Sequence, residues 1–236
     1  MNFEKVPTYL YKYMPNNRYL LKTLKNHILN VSNLTAFNDP CENCVFIRDK
    51  DNPKLINDFF NKFLKMQFAL CFGTSKSNFT LWNYYANGFS GVCLKYRTKD
   101  IEKSLEAKVG ANYCPSHVTY SNTKVDITKQ YSSRLKGNTI DNSLSSKIFF
   151  RKFKIWSREK EFRFAIGTQK EKNRFNITKI TPLEIIIGFR LNIKKQKQIF
   201  TFCELNKIKV TIATPDFSSE KIKINFLKRE KQEDTV

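Results

Sequence analysis

One stretch of the sequence constrains the fold more than any other. It runs from Lys147 to Gly167 and reads KIFFRKFKIWSREKEFRFAIG. In its first half four apolar residues recur at helical spacing: Ile148, Phe149, Phe153 and Trp156. From Lys160 to Ile166 the pattern has a two-residue period, with Phe162, Phe164 and Ile166 apolar, which predicts a β-strand with one buried face.

The alternation sorts the side chains of this strand into two sets. One face carries Phe162, Phe164 and Ile166, and the other carries Glu159, Glu161 and Arg163. Because two residues advance a strand by roughly 6.6 Å, the two carboxylates are expected to stand side by side. The charged set is interpreted either as the solvated face of an edge strand or as a polar site held rigid by the phenylalanines behind it.

The order of predicted elements indicates an α+β fold. Strands and helices follow one another without regular alternation, which favours a mixed, mostly antiparallel sheet or sheets with flanking helices. Strands are predicted at 9–13, 29–34, 68–74, 92–96, 117–120, 160–166, 183–188, 209–213 and 221–227. Helices are predicted around 20–28, 53–64, 78–86, 101–108 and 192–206.

The length and composition are those of a single folded domain. A chain of 236 residues with 41% hydrophobic residues and 21 phenylalanines can bury a full core. We expect one α+β domain over residues 1–227, with a polar, mobile insertion at 121–146 and a disordered tail at 228–236.

The net charge points to polyanionic partners. The chain has 42 basic and 21 acidic residues, a formal net charge of +21. Such a charge favours nucleic acid, phosphates or an anionic surface, although a diffuse excess of Lys and Asn can also reflect an AT-rich genome. No apolar run reaches the roughly 18 residues of a membrane span, and the first residues lack the apolar core of a signal peptide. We therefore expect a cytoplasmic location, reduced cysteines and no membrane partner.

The cysteines and histidines allow one candidate metal site. The pairs Cys41-x-x-Cys44 and Cys114-x-x-His117 have zinc-ligand spacing and together supply four ligands. Neither pair is flanked by the glycines typical of zinc knuckles, so the same residues are also consistent with no metal. Cys71 and Cys93 lie in apolar strands and are interpreted as small core residues.

Several spaced motifs resemble a known family. They are Tyr11-Lys12-Tyr13, Phe37-Asn38-Asp39-Pro40, Trp82-Asn83-Tyr84-Tyr85-Ala86, Gly91, and Trp156 to Arg163 (WSREKEFR). In this order, over roughly residues 9–190, they resemble a widespread bacterial family of domains of unknown function. The chain departs from that pattern at Met14, Tyr84 and Cys41, where the family usually has an arginine, a histidine and an aromatic residue.

A more distant similarity suggests a reaction. The plan resembles ADP-ribosyltransferase folds with their split sheet, whose catalytic glutamate sits on a late strand, often as E-x-E, as in Glu159-Lys160-Glu161. The resemblance implies NAD as the cofactor and a role as a toxin or phage-defence effector, with an antitoxin or other partner protein. Breaking the nicotinamide–ribose bond develops oxocarbenium character, which a fixed carboxylate stabilises. Glu161 is expected to stabilise that charge, and Glu159 to orient or deprotonate the acceptor.

Further residues are candidates for binding NAD. Arg163 and Lys12 suit the pyrophosphate, because guanidinium and ammonium groups pair with phosphate oxygens. Four aromatic residues either stack on nicotinamide or adenine or simply fill the core: Tyr11, Tyr13, Trp82 and Tyr85. Asn38 and Asp39 either contribute polar groups to a cleft or only hold their turn.

The basic residues around the carboxylates leave two alternative functions open. Four of them are candidates for contacting a nucleic-acid backbone: Arg151, Lys152, Lys154 and Arg158. One alternative is therefore a non-catalytic nucleic-acid-binding module. The other is a nuclease in which Asp39, Glu159 and Glu161 hold magnesium.

Overall fold

The computed structural model divides the chain into two compact units. It describes residues 5–37, 39, 45–48, 58, 61–135, 148–168, 174–218 and 223–228. The first unit comprises Met1–Val6, Asn30–Cys71 and Leu105–Ile177, and the second comprises Pro7–Leu29, Phe72–Ser104 and Thr178–Val236. The single domain predicted over residues 1–227 stays a prediction, and all but the first residue of the tail at 228–236 lies outside the described residues.

The described residues form fourteen strands and several short helices, in an order without regular alternation. The strands are β1 (Tyr9–Met14), β2 (Leu29–Asn33), β3 (Val45–Phe46), β4 (Gln67–Gly73), β5 (Val92–Arg97), β6 (Tyr113–His117), β7 (Thr119–Ser121), β8 (Val125–Asp126), β9 (Arg151–Phe153), β10 (Glu161–Gly167), β11 (Arg174–Ile177), β12 (Glu184–Gly188), β13 (Lys209–Pro215) and β14 (Ile224–Lys228). The α-helices are α1 (Arg18–Lys25), α2 (Phe79–Tyr84), α3 (Thr98–Val109), α4 (Thr128–Leu135) and α5 (Ile193–Leu205). Residues 61–65 are also helical.

The second unit is built on five strands in the order β1-β5-β12-β13-β14. Neighbouring strands are antiparallel except β12 and β13, which are parallel with Ile186 opposite Thr211. A parallel pair requires a long crossover connection, and α5 supplies it. The predicted α+β class, with a mixed and mostly antiparallel sheet, is confirmed.

An aromatic cluster packs on one face of these strands. Asn78 caps α2 by accepting a hydrogen bond of 3.1 Å from the backbone N–H of Leu81, which fixes where the helix begins. The helix then places Trp82 against Phe89, with the rings stacked 4.9 Å apart. The chain passes so close at Gly91 that an added Cβ would lie 2.2 Å from the Met14 carbonyl oxygen.

The first unit is organised around β4 and β10. β4 pairs with β2 and β10, and β10 pairs with β6 in antiparallel register, Phe164 opposite Pro115. The face of β10 predicted to be apolar is buried, as expected from its alternation: Phe162, Phe164 and Ile166 are each 0% exposed. The opposite face is buried too, because its Ala165 packs in a core that includes Phe63 and Phe149.

The helical spacing in the first half of the 147–167 stretch is not realised as one continuous α-helix. Of its described residues, 148 and 149 are helical, 151–153 form β9, and 154–159 form a 3₁₀-helix that carries Trp156. β9 pairs in parallel with β7, and both the N–H and the hydroxyl of Thr119 donate 2.8 Å hydrogen bonds to the Phe150 carbonyl. This long-range pairing outweighs the helical spacing of the apolar residues, since local propensity is weaker than tertiary contacts.

The predicted insertion at 121–146 begins as folded structure. β8 and α4 lie within it, with Ile127 and Tyr131 each 1% exposed. The polar composition gave no sign of these two buried side chains, and the mobile insertion predicted at 121–146 stays a prediction. The rest of the segment, from 136, lies outside the described residues.

None of the helices in the described residues is long and apolar enough to cross a membrane.

Candidate functional site

Two carboxylates of the first unit converge on one buried ammonium group. Lys152 Nζ lies 2.8 Å from Glu159 Oε2 and 3.3 Å from Glu161 Oε2. Lys152 comes from β9, Glu161 opens β10, and Glu159 ends the 3₁₀-helix Lys154–Glu159 between them. Lys160 joins the turn to the strand with a left-handed backbone (φ 48°). Glu159 is therefore not on the strand as predicted, yet it meets Glu161 at Lys152.

A guanidinium group holds the second carboxylate from its other side. Arg163 donates from Nε to Glu161 Oε1 and from Nη2 to Glu161 Oε2, both at 2.9 Å. Its Nη1 donates to the Phe149 carbonyl at 2.9 Å, and the Phe37 ring lies 5.4 Å from its Cζ. Since residues two apart share a strand face, the alternation in the sequence correctly placed Glu161 beside Arg163.

All four ionic side chains are buried. Lys152 is 4% exposed, Glu159 1%, Glu161 8% and Arg163 0%. We call these four residues the ionic cluster. Buried charges are stable only when they are paired and hydrogen-bonded, which each of these is. The polar face of β10 is thus an interior site and not the solvated face of an edge strand.

The cations keep Glu161 ionised. Burial alone raises the pKa of its carboxyl, but the charges of Arg163 and Lys152 outweigh burial, and the pKa falls to about 2. A hydrogen bond with the Cys71 side chain acts in the same direction. At neutral pH Glu161 is a fixed negative charge, so it is suited to stabilise a developing positive charge and not to donate a proton.

Tyr120 completes the site and was missed in the sequence. Its hydroxyl accepts a 2.9 Å hydrogen bond from the backbone N–H of Glu161. Burial, together with the nearby carboxylates of Glu161 and Glu159, raises the pKa of Tyr120 to about 12, so it remains a neutral phenol. No spacing signal links the two residues, which are 41 positions apart and meet only through tertiary structure.

The remaining polar candidates of the first unit lie in different surroundings. Arg151 holds a turn, because its Nη2 donates to Ser121 Oγ and to Thr123 O. Lys152 belongs to the ionic cluster, so we no longer assign it to a nucleic-acid surface. Asp39 is 8% exposed, whereas Asn38 lies outside the described residues. Lys154 and Arg158 are exposed on the 3₁₀ turn.

Two of the predicted stacking residues are core residues of the second unit. Trp82 is 0% exposed, and its Nε1–H donates to the Lys76 carbonyl at 2.9 Å. Tyr13 is 6% exposed and donates its hydroxyl to the Ser75 carbonyl at 2.7 Å. Both packing and hydrogen bonding are satisfied inside the unit, so we assign neither ring to a cofactor.

Tyr11, Lys12 and Tyr85 also lie in the second unit. Tyr11 is half-buried, and burial together with the nearby Cys93 and Glu184 raises the pKa of its hydroxyl. Lys12 Nζ lies 5.7 Å from the centre of the Phe72 ring, and Tyr85 packs against the aromatic cluster. That Tyr11, Lys12 and Tyr85 form one NAD site with Glu159 and Glu161 stays a prediction.

The predicted zinc set is not brought together where the structure describes it. Cys114 and His117 lie on β6 three residues apart, so their side chains point to opposite faces of the strand. The His117 ring packs edge-on against Phe162, 5.0 Å away. Cys41 and Cys44 lie outside the described residues. Among described residues no group of three His, Cys, Asp or Glu side chains is placed to hold a metal. The alternative magnesium set of Asp39, Glu159 and Glu161 is therefore not brought together either.

Comparison with protein families gives a match over part of the chain. Residues 81–164 match the model of the family described as Protein of unknown function (DUF2971). The match spans the motifs from Trp82 to Ala86 and from Trp156 to Arg163, and it confirms the predicted resemblance over this part of the chain. No curated protein and no solved structure matches the chain.

Proposed function

We propose that the chain is an NAD-dependent, ADP-ribosyltransferase-like enzyme with the ionic cluster as its catalytic centre. The observation that supports this most is the meeting of Glu159 and Glu161 at Lys152, with Glu161 also held by Arg163. A stabilised carboxylate pair is what the cleavage of a glycosidic bond requires. Perturbed and buried charges are more frequent at functional sites than elsewhere.

Glu161 has the properties of the charge-stabilising residue. Loss of nicotinamide leaves an oxocarbenium-like ribose, whose positive charge a permanently ionised carboxylate stabilises. Because the pKa of Glu161 is about 2, the carboxylate needs no proton release before it acts. The two hydrogen bonds from Arg163 fix its orientation, so little reorganisation accompanies the reaction.

Glu159 is the residue that orients or deprotonates the acceptor. Lys152 Nζ contacts both Glu159 Oε2 and Glu161 Oε2, so the ammonium fixes the position of one carboxylate relative to the other. A carboxylate in that position can accept the proton that the attacking group of the acceptor loses. Lys152 is accordingly a positioning residue.

Access to the cluster involves the 3₁₀ turn. Glu159 is 1% exposed. Trp156 is on the same turn as Glu159, and its ring lies 5.4 Å from Lys152 Nζ. Because Glu159 is buried, the proposal requires a local movement, such as that of this turn, before a ribose can reach it. Closure of the turn afterwards keeps water away from the cation, which favours transfer to an acceptor over hydrolysis.

The biological setting belongs to the same proposal. We place the enzyme in the cytoplasm, as a toxin or defence effector controlled by a partner protein. Induced expression of the wild-type chain is then expected to slow growth, and the Glu161→Gln variant is expected not to. Equal growth with both chains, at equal amounts of folded protein, would contradict this setting.

Labelled NAD tests the activity. NAD carrying the label in its adenylate group is incubated with the protein and with nucleic-acid and protein fractions of cells. Transfer of label by wild-type protein is expected to fall by at least about 100-fold in Glu161→Gln. The matched control is Glu106→Gln, because Glu106 is exposed and bonded only to Tyr113 among the contacts described here. Wild-type protein that neither binds NAD nor labels any fraction would refute the proposal.

A further inference from the structure

One face of the sheet in the second unit is covered at one end only. Residues directly opposite each other on paired strands point to the same face. Tyr13 lies opposite Cys93, and Cys93 lies opposite Ile186, and all three pack in the aromatic cluster. Towards the other end the same face carries six polar or aromatic side chains, which we call the open face: Tyr9, Tyr11, Lys95, Arg97, Glu184 and Lys209.

The reverse face of these strands is fully packed. The residues that alternate with the open face are each at most 1% exposed: Leu10, Leu94, Tyr96, Ile185 and Ile187. On the open face, by contrast, Tyr9 is 37% exposed, Arg97 is exposed, and the side chain of Lys209 is 58% exposed. Packing from behind therefore holds the backbone while the open face meets solvent, which suits a binding surface on a rigid scaffold.

Glu184 is a buried carboxylate with one oxygen left to accept a hydrogen bond. The residue is 3% exposed. Thr211 Oγ1 donates a 3.0 Å hydrogen bond to Glu184 Oε1, and Lys209 Nζ lies 3.4 Å from the same oxygen. Within the described residues Oε2 has no donor, although a carboxylate accepts at both oxygens. Since polar atoms of buried side chains normally have partners, Oε2 is suited to an N–H group brought by a ligand.

An exposed aromatic ring and a guanidinium lie opposite each other on the same face. Tyr9 of β1 is paired with Arg97 of β5. Lys95 Nζ lies 3.9 Å from the centre of the Tyr9 ring, so an ammonium occupies one side of the ring. The exposed part of the ring can stack on a base, and the guanidinium of Arg97 suits phosphate oxygens. Lys95 and Lys209 already have partners, so the ligand contacts are assigned to Tyr9, Arg97 and Glu184.

We infer that the open face binds single-stranded nucleic acid, with one base stacked on Tyr9, a second base donating to Glu184 Oε2, and a phosphate at Arg97. Glu184 is two strands from Tyr9 and offset along them by two residues, about 12 Å on a flat sheet, which is farther than one base reaches. A free nucleotide offers the same chemistry, but it fills one contact only, and its sites are usually concave. A single strand presents successive base faces, whereas a duplex keeps them stacked. The inference does not rest on the proposed function.

Binding is measured on the full chain without NAD, by fluorescence anisotropy. The probes are labelled single strands of cytosine and of thymine nucleotides and a duplex, with AMP as a competitor. The test variants are Tyr9→Ala, Arg97→Gln and Glu184→Gln, each checked for folding by circular dichroism. Tyr19→Ala and Arg18→Gln are the matched controls, because these residues form an exposed tyrosine–arginine pair on α1 in the same unit.

Each test variant has its own expected result. Tyr9→Ala is expected to weaken binding of the cytosine strand at least about 5-fold through loss of stacking, with the salt dependence unchanged. Arg97→Gln is expected to lower the slope of log affinity against log salt by about 0.7, the value for one phosphate contact on a single strand. Glu184→Gln is expected to reduce the preference for cytosine over thymine, because cytosine has an amino group to donate where thymine has a carbonyl oxygen.

The controls are expected to bind like the wild type. Four results would each overturn the inference: equal losses in test and control variants, duplex binding as tight as single-strand binding, AMP bound as tightly as the strand, or no wild-type binding at low salt. Glu161→Gln is expected to bind the single strand like the wild type while losing transfer from NAD. Failure of the open face and failure of the proposed enzyme are therefore distinguishable.

Discussion

Arg163 holds the carboxylate of Glu161, two residues before it on the same strand, through two hydrogen bonds of 2.9 Å. Both side chains are buried, on a strand whose other face is also buried. Lys152 approaches Glu161 from a different strand and ties it to Glu159. A polar face that would serve only solubility is normally exposed, so this arrangement needs either a structural or a chemical reason.

The first prediction concerns acid stability. The folded-state pKa of Glu161 is about 2, below its ordinary value of 4.5, so its stabilising contribution is present above pH 4.5 and is lost as pH falls towards 2. A difference of this size corresponds to about 3 kcal/mol. The free energy of unfolding, measured with urea at a series of pH values, is expected to decrease through this window in the wild type.

The control for that prediction is Glu161→Gln. This variant has no carboxyl to protonate, so it is expected to show a smaller decrease between pH 4.5 and 2. It is also expected to be less stable at neutral pH, because Arg163 and Lys152 lose a buried counter-charge. The same acid slope in both proteins would show that Glu161 is not ionised by its neighbours.

The second prediction concerns Tyr120→Phe. Removing the hydroxyl leaves the backbone N–H of Glu161 without its 2.9 Å acceptor, which is expected to cost about 1–3 kcal/mol of unfolding free energy. Tyr113→Phe is the matched control, because its hydroxyl donates to Glu106 at an exposed position. Equal, small losses in both variants would mean that the Tyr120 contact does not stabilise the start of β10.

The third prediction compares a glycine required by a close backbone contact with a glycine required by a positive φ. An added Cβ at Gly91 would lie 2.2 Å from the Met14 carbonyl oxygen, so Gly91→Ala is expected to cost about 3 kcal/mol or more. Gly110 has a φ of +61° and no described atom within 4 Å of an added Cβ, so Gly110→Ala is expected to cost only about 1–2 kcal/mol. Thermal or urea denaturation of both variants measures this, and a reversed order would contradict the close approach at Gly91.

The sequence predicted what depends on local pattern. The alternation of Phe162, Phe164 and Ile166 identified β10, and it correctly set Glu161 and Arg163 on one face. The helix around 78–86 and the strand at 183–188 were likewise predicted, and they are observed as α2 and β12. These features follow from the two-residue period of strands and from helix-capping chemistry, which leave a clear mark on the sequence.

What failed depends on contacts that are distant along the chain. The role of Lys152 depends on the pairing of β9 with β7, which turned an expected helix into a strand. Glu159 reaches the cluster because Lys160, the next residue, has a left-handed backbone. The sequence gave no indication of this, since glycine or asparagine is the usual residue in that conformation. Trp82 and Tyr13 were equally consistent with a core or a cofactor site, because an aromatic residue favours both, and only the tertiary packing distinguishes them.

The central claim is that the ionic cluster acts on a substrate and does not merely stabilise the fold. It is tested by Lys152→Met combined with Glu159→Met, which replaces one buried ion pair by apolar side chains of similar length. Such a replacement is often neutral or stabilising, whereas either single change leaves an uncompensated buried charge and is expected to cost about 3–5 kcal/mol. The double variant is therefore expected to stay folded.

The measurement is the rate of ADP-ribose transfer from labelled NAD by this double variant, alongside its free energy of unfolding. We predict wild-type or greater stability with transfer reduced by at least about 100-fold. Wild-type transfer by the stable double variant would contradict the account, because Lys152 and Glu159 would then serve only the fold.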